Sequence, residues 1–280
     1  MIDFLLIGGA KCGSTSLSDY LKASPSVNFT REKEPAILNQ RGVGPDEIRH
    51  RYKKLLNGSG GLVGEGTTAY SDLRSTPVVL KNLEAIGASP KVILVARNPV
   101  KRLESHYFQA LRTGKIRKPG PTTEFRYYYN SLSIWSRGLF GSTLELYIEM
   151  LGPERVLALR FDDIVRDPSE DLAKLSEFLD IEVPGDGFCL PRSNRSVGSI
   201  KGNPISAFYR QHISKRYRKL PLPRLTRVGK MINRTMGREI RSSDVSGMTT
   251  DQIAFARRFY NDDAFRFASL TGWNYWDLER

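Results

Sequence analysis

The sequence predicts an α/β fold in three layers, a central parallel β-sheet flanked by helices, with a C-terminal helical cover. Three observations point there. Short apolar runs alternate with helical patterns, the runs are apolar at consecutive residues, and Gly, Pro or charge bounds each of them. The 280 residues and 40% hydrophobic content are enough for a packed core. Ile2 to Ile7 reads as the first strand and stops at Gly8 and Gly9. Leu17, Tyr20 and Leu21 then share one helical face. Val63 to Gly66 is the second strand, and Val79, Leu80, Leu83 and Ile86 form the face of the helix after it. Val92 to Ala96 and Val156 to Phe161 follow as strands. Leu172, Leu175, Phe178 and Leu179 make the next helical face, with Pro168 suited to its first turn. The turn-rich stretch Gly185 to Pro204 ends this core. Pro221 and Pro223 interrupt the basic helical part beyond it, and an amphipathic pattern runs from Asp251 to Leu270. One domain over residues 1–280 fits this order, with a core at 1–184, a loop at 185–204 and a helical segment at 205–280. An independent helical domain at the tail is the alternative.

The 43 Lys and Arg against 30 Asp and Glu leave a net charge of +13, which points to an anionic partner. No apolar run approaches the ~20 residues of a membrane-spanning helix. No basic leader with an apolar stretch of about 7–15 residues precedes the first strand, so the expected location is cytoplasmic. The two cysteines, Cys12 and Cys189, are too few and too far apart for a disulfide framework.

The segment Gly8-Gly9-Ala10-Lys11-Cys12-Gly13-Ser14-Thr15-Ser16 joins the first strand to its helix and is P-loop-like. Glycines let backbone amides turn toward a phosphate, the helix start adds partial positive charge, and Ser and Thr add donors. Lys11 supplies a full charge. A nucleotide-hydrolase loop reads G-x-x-x-x-G-K-[ST]; Gly8 and Gly13 keep its spacing, but Ser14 stands at the lysine position. That displacement disfavours a Mg-ATP site, in which the lysine reaches the β/γ-phosphates. No metal ligand set is expected.

A second element, Lys91 to Tyr107, delivers Arg97 at the carboxyl end of a strand, with Asn98 as helix cap and Pro99 in the first turn. Ligands of open α/β sheets gather at that edge, so Arg97 can meet a second phosphate while Ser105 donates from the helix. The alternative is an ion pair between Arg97 and a local carboxylate such as Glu65.

Together these elements resemble the sulfotransferases that use 3′-phosphoadenosine 5′-phosphosulfate (PAPS), above all the heparan sulfate-type and bacterial carbohydrate branch. Lys11, Gly13, Ser14, Thr15 and Leu17 match the family's G-x-x-K-x-G-T-[ST]-x-L loop, with Ser14 where Thr is usual. Arg97, Asn98, Pro99, Arg102, Ser105 and Tyr107 match R-[DN]-P-x-x-R-x-x-S-x-Y. Further similarities lie at Lys33-Glu34-Pro35, Glu65 to Tyr70, Phe161 to Ile164 with Asp167-Pro168, and Phe259 to Trp276. Gly114 to Arg137 matches nothing named.

The resemblance implies a set of roles. Lys11 contacts the bridging oxygen and 5′-phosphate, in a loop whose cofactor-binding residues are Lys11, Cys12, Gly13, Ser14, Thr15 and Ser16. Arg97 and Ser105 hold the 3′-phosphate. Arg192, Arg195 and Lys201 belong to a loop that closes over the cofactor, without a choice among them. Glu34 becomes the base for the attacking hydroxyl, with His106 as rival. On pattern alone, Glu34 sits in the charged run Arg31-Glu32-Lys33-Glu34, typical of a solvated face. Gly66 replaces the Lys that commonly precedes Thr in the heparan pattern, while Glu65 is placed to orient a neighbour. Cys12, near a helix start and Lys11, is expected to have a lowered thiol pKa, yet it lacks a catalytic partner.

The expected function is sulfuryl transfer from PAPS to a hydroxyl of a carbohydrate or glycolipid, without a metal. The rivals are a P-loop kinase or NTPase, and a polyanion-binding protein that uses the sheet as a scaffold; nucleic acid is not the expected partner. Fourteen of the 43 basic residues lie between Arg192 and Arg241 with a single acid, Glu239, and the other 29 basic and 29 acidic residues cancel. A cofactor cannot absorb all fourteen charges. Residues 210–241 are therefore expected to attract an anionic acceptor or an acidic membrane surface at the inner face, a solvated basic face being the alternative.

Overall fold

The computed structural model describes residues 2–56, 60–112, 132–182, 200–202, 238–240 and 248–276. Strand β1 (Phe4–Leu6) is wholly buried, as its uninterrupted apolar run requires, and feeds helix α1 (Ser14–Ala23). Strand β2 (Val27–Phe29), helix α2 (Pro45–Leu55) and strand β3 (Leu62–Gly66) follow. A 3₁₀ turn (Thr68–Ser71) leads to α3 (Thr76–Ile86), β4 (Lys91–Ala96) and α4 (Pro99–Arg112). Next come α5 (Leu132–Trp135), α6 (Phe140–Leu151), β5 (Val156–Arg160), α7 (Phe161–Arg166) and α8 (Ser169–Leu179).

The five strands form a parallel sheet in the order β2-β3-β1-β4-β5. Leu5 of β1 lies opposite Glu65 on one side and Val92 on the other. The chain fills one side of β1 with β2 and β3, then crosses to the other with β4. The gap above β1 and β4 is thus the topological switch point, where the loops leaving their carboxyl ends diverge and ligands bind. Gly64 is required by packing, since a Cβ there would stand 2.0 Å from the Phe4 ring.

All four strands expected from the sequence are present, and β2 is an additional edge strand. Leu17, Tyr20, Leu21, Val79, Leu83, Ile86, Leu172, Leu175 and Leu179 are buried as their spacing predicts. Leu80 and Phe178 are only half-buried, and Pro168 stands at the cap of α8 rather than inside its first turn.

The last helix, α9 (Thr250–Thr271), coincides with the amphipathic pattern. Its Asp263 carboxylate accepts the amides of Gly141 at 2.9 Å and Ser142 at 2.7 Å. A carboxylate is favourable there, against the first-turn amides of α6. Tyr260 stacks on Trp135 with centroids 5.4 Å apart, and Phe267 and Tyr275 pack edge-on to Phe140.

The chain divides into two compact units. One comprises residues 1–102, 132–193 and 255–280 and holds the sheet; the other comprises 103–131 and 194–254. Within the second, β6 (Ile200–Gly202) pairs antiparallel with β7 (Arg238–Ile240). Those short strands correct the sequence expectation of loop at 200–202 and helix at 238–240. The Met248 amide donates to Glu104 Oε1 at 3.0 Å in the same unit. Among the described residues, no helix is long and apolar enough to cross a membrane.

Candidate active site

The loop after β1 is shaped by close packing as much as by conformation. Gly13 caps α1 with φ +78°, and a Cβ there would lie 2.9 Å from the Phe161 ring. With no side chain at the cap, the amides of Ser14 and Thr15 are left for a ligand, while the Ser16 amide donates to the Gly13 carbonyl at 3.0 Å. Lys11 also adopts a left-handed backbone, φ 78°. Its carbonyl oxygen accepts Arg97 Nη1 at 3.2 Å, which ties the loop to the carboxyl end of β4. The Arg97 guanidinium lies over the Phe161 ring, 4.6 Å from its centroid.

Arg97 Nε is buried without a hydrogen-bond partner among the described residues. Buried donors are normally satisfied, so an unsatisfied nitrogen beside a phosphate-type cradle suits an anion. The alternative pairing of Arg97 with Glu65 does not occur, because Glu65 is engaged elsewhere. Asn98 caps α4 as expected: its Oδ1 accepts the amides of Val100 at 2.9 Å and Lys101 at 3.2 Å. Arg102 is fully buried and donates to the Ile134 carbonyl at 2.6 Å, a structural tie.

Cys12 departs from its expected chemistry. It is fully buried, its amide donates to the Gly9 carbonyl at 3.0 Å, and burial pushes its thiol up to about 12. Arg102, Arg97 and Lys11 oppose that rise without overcoming it. Desolvation wins over the helix start, so Cys12 is a packing residue with neither a reactive thiol nor one open to alkylation.

Lys33 and Glu34 are exposed, and Lys33 Nζ donates to Thr15 Oγ1 at 2.8 Å. The charged run therefore reaches the loop, a contact that the sequence did not reveal. Glu34 has φ 55° and Ala36 φ 52°, two left-handed residues on either side of Pro35. Such conformations persist where surrounding contacts over-determine them. Here the Ala36 amide donates to Thr67 Oγ1 at 3.3 Å, the Leu38 amide to the Tyr70 hydroxyl at 2.9 Å, and Asn82 holds the Leu38 carbonyl at 2.7 Å.

Behind that segment lies Glu65, fully buried. Tyr52 of α2 donates to its Oε1, and Thr67 donates to its Oε2 at 3.2 Å. The hydroxyls of Tyr70 and of Tyr147 in α6 lie near enough to feel its charge. Burial raises the carboxyl from 4.5 to about 7, against the hydroxyls of Tyr52, Tyr70 and Thr67, which lower it. The folded chain thus holds this proton more tightly than the unfolded chain. Its contribution to stability is full below about pH 4.5 and is lost as pH rises through about 7. Denaturant unfolding at pH 5 and pH 8 should show a loss of about 2–3 kcal/mol from this group. Glu65→Gln should abolish that part of the slope; an unchanged slope would assign it to other groups.

Ser105 is buried and His106 half-buried, adjacent on α4 in the second unit. Arg192 and Arg195 lie outside the described residues, as do Cys189 and most of 210–241. Lys201 is placed only as a backbone position in β6, opposite Glu239. No cluster of three or more His, Cys, Asp or Glu able to hold a metal occurs among the described residues.

A family described as the sulfotransferase domain matches residues 1–261. Human heparan sulfate glucosamine 3-O-sulfotransferase 6 is 26% identical over 223 residues, 71% of this chain and 63% of that protein. The human 3-O-sulfotransferase 3B1 is 24% identical over 186 residues, 64% of this chain and 46% of its own length. The chain thus spans less than two thirds of these relatives. Two solved structures share the fold. A sulfotransferase from Alicyclobacillus acidocaldarius has a TM-score of 0.63 and 19% identity, covering 100% of this chain and 99% of that one. A mouse sulfotransferase complexed with PAP has a TM-score of 0.52 and 14% identity, covering 96% and 87%. Since the match runs from β1 well into α9, and so includes both the loop of Lys11 and the strand end of Arg97, the chain belongs to the sulfotransferase domain family.

Proposed function

We propose that the chain transfers the sulfuryl group of PAPS to a hydroxyl of a carbohydrate or glycolipid and releases adenosine 3′,5′-bisphosphate. The observation that carries this reading is the 3.2 Å bond from Arg97 to the Lys11 carbonyl, which joins the two phosphate-type motifs at the switch point. The site fits the donor: a glycine-capped helix start with Ser14, Thr15 and Ser16 suits the 5′-phosphate, and Arg97, with its buried unsatisfied Nε, suits the 3′-phosphate. Ser105 is assigned to the same phosphate from the motif, and Arg192, Arg195 and Lys201 to closure over the nucleotide.

In the reaction Glu34 takes the acceptor hydroxyl proton as the oxygen bonds to sulfur. The bond from sulfur to the bridging phosphate oxygen breaks, and Lys11 stabilises the electron pair left on that oxygen. A preorganised cation at a developing charge is worth a few kcal/mol, so the protein itself supplies what a metal would otherwise provide. Within this reading the chain works in the cytoplasm. Its basic arm, residues 210–241, meets an anionic acceptor or an acidic membrane surface, supported by the local excess of charge.

Calorimetry tests the donor assignment. Adenosine 3′,5′-bisphosphate should bind without metal, and Lys11→Ala should weaken that binding. Tight binding of ATP with Mg²⁺ and none of the bisphosphate would replace this reading by an NTPase.

A further inference from the structure

We propose that Glu65 is a positioning residue for the segment that carries Glu34, acting through the hydroxyls of Thr67 and Tyr70. The inference rests on the reading of Glu34 as the base, and it follows from the direction of each hydrogen bond. Once ionised, above the value of about 7 to which burial raises it, the Glu65 carboxylate only accepts, so every hydroxyl bonded to it turns its hydrogen toward it. Thr67 donates to Glu65 Oε2 at 3.2 Å, which leaves its lone pairs for the Ala36 amide at 3.3 Å. The Tyr70 hydroxyl lies close to the same carboxylate, whose charge draws its hydrogen, and its oxygen accepts the Leu38 amide at 2.9 Å. Tyr52 completes the set as a third donor from α2. One buried group thereby dictates the polarity of both contacts that hold the backbone immediately after Glu34.

That backbone needs holding. Glu34 and Ala36 are both left-handed, and Glu34 precedes a proline, which disfavours helical-type geometry at the residue before it. Without the two amide contacts the segment would relax toward extended backbone, and the Glu34 carboxylate would swing away from its place. An amide at residue 65 reverses part of the pattern. Its nitrogen donates where the carboxylate accepted, so one hydroxyl loses its acceptor, must turn its hydrogen away, and has its oxygen shared between two donors. The bond from Arg97 to the Lys11 carbonyl involves none of these groups.

At pH 8, where Glu65 is ionised, Glu65→Gln should therefore lower kcat at least tenfold while the affinity for adenosine 3′,5′-bisphosphate stays within twofold. Amide hydrogen exchange at Ala36 and Leu38 should quicken at least tenfold relative to wild type, with α1 unchanged. Thr67→Val should reproduce the effect at Ala36 and in kcat, and Thr67→Ser, which keeps the hydroxyl, should restore both. The double variant Glu65→Gln with Thr67→Val should cost little more than the worse single one, since both break the same chain of contacts. Unchanged exchange at Ala36 and Leu38 in Glu65→Gln, or single effects on kcat that multiply, would overturn the proposal. The exchange readout needs no turnover. A wild-type chain that binds no bisphosphate and transfers no sulfate would overturn the sulfotransferase reading instead, while exchange still decides whether Glu65 holds the segment.

Discussion

Lys11→Ala is expected to reduce kcat for sulfuryl transfer by about 10²–10³-fold, the range seen when one preorganised donor to a developing oxyanion is removed. The structure gives reason to expect a clean loss. Lys11 is held by its backbone: its carbonyl takes the Arg97 bond, and its φ of 78° is set by the loop. Ala carries a Cβ like Lys, so the left-handed cost is nearly the same before and after substitution, and the Arg97 contact survives. The thermal midpoint should then stay close to wild type. Release of adenosine 3′,5′-bisphosphate from PAPS, followed with a heparan-type polysaccharide as acceptor, measures the effect. A drop in kcat larger than the rise in KM would mark an interaction made chiefly in the transition state. Retention of full kcat would remove Lys11 from the chemistry and leave it as a loop cation.

How much of this could be read beforehand depends on the range of the interactions. The strands β1 and β4, the Asn98 cap and the face of α1 are local, and the residues that decide them lie within a few positions of each other. The three-residue β2 has a polar centre, Asn28, and exists by pairing with β3, which no local pattern announces. The helix α2 buries only Ile48 and Tyr52 among its many charges, too thin a stripe to stand out. At the site, the glycine cap and the cations were legible because their chemistry is compact in sequence. What supports them was not. Phe161 lies under Arg97, Lys33 reaches Thr15, and Tyr52 and Tyr70 meet at Glu65, all through the fold. Cys12 shows the same limit in energetic form: its place in the chain suggested a lowered thiol pKa, and complete burial reverses the direction.

The second large effect is expected at Glu34. Glu34→Gln should lower kcat at least a hundredfold, within the range for a positioned general base, with the affinity for adenosine 3′,5′-bisphosphate almost unaltered. Gln has the shape of Glu and the same left-handed cost, so φ 55° at this position and the contacts of Ala36 and Leu38 remain. The residue is exposed, so the swap leaves no buried group without a partner. What changes is the ability to take a proton. The two halves of the measurement separate the roles: turnover reports the proton transfer, and calorimetry reports the donor cradle, which Glu34 does not help to form. Lys33 provides the internal contrast, because its contact with Thr15 places it on the donor side of the same run. Lys33→Met should therefore move bisphosphate affinity while Glu34→Gln moves kcat. Unchanged turnover in Glu34→Gln would reassign the base to another group, His106 being the first to substitute.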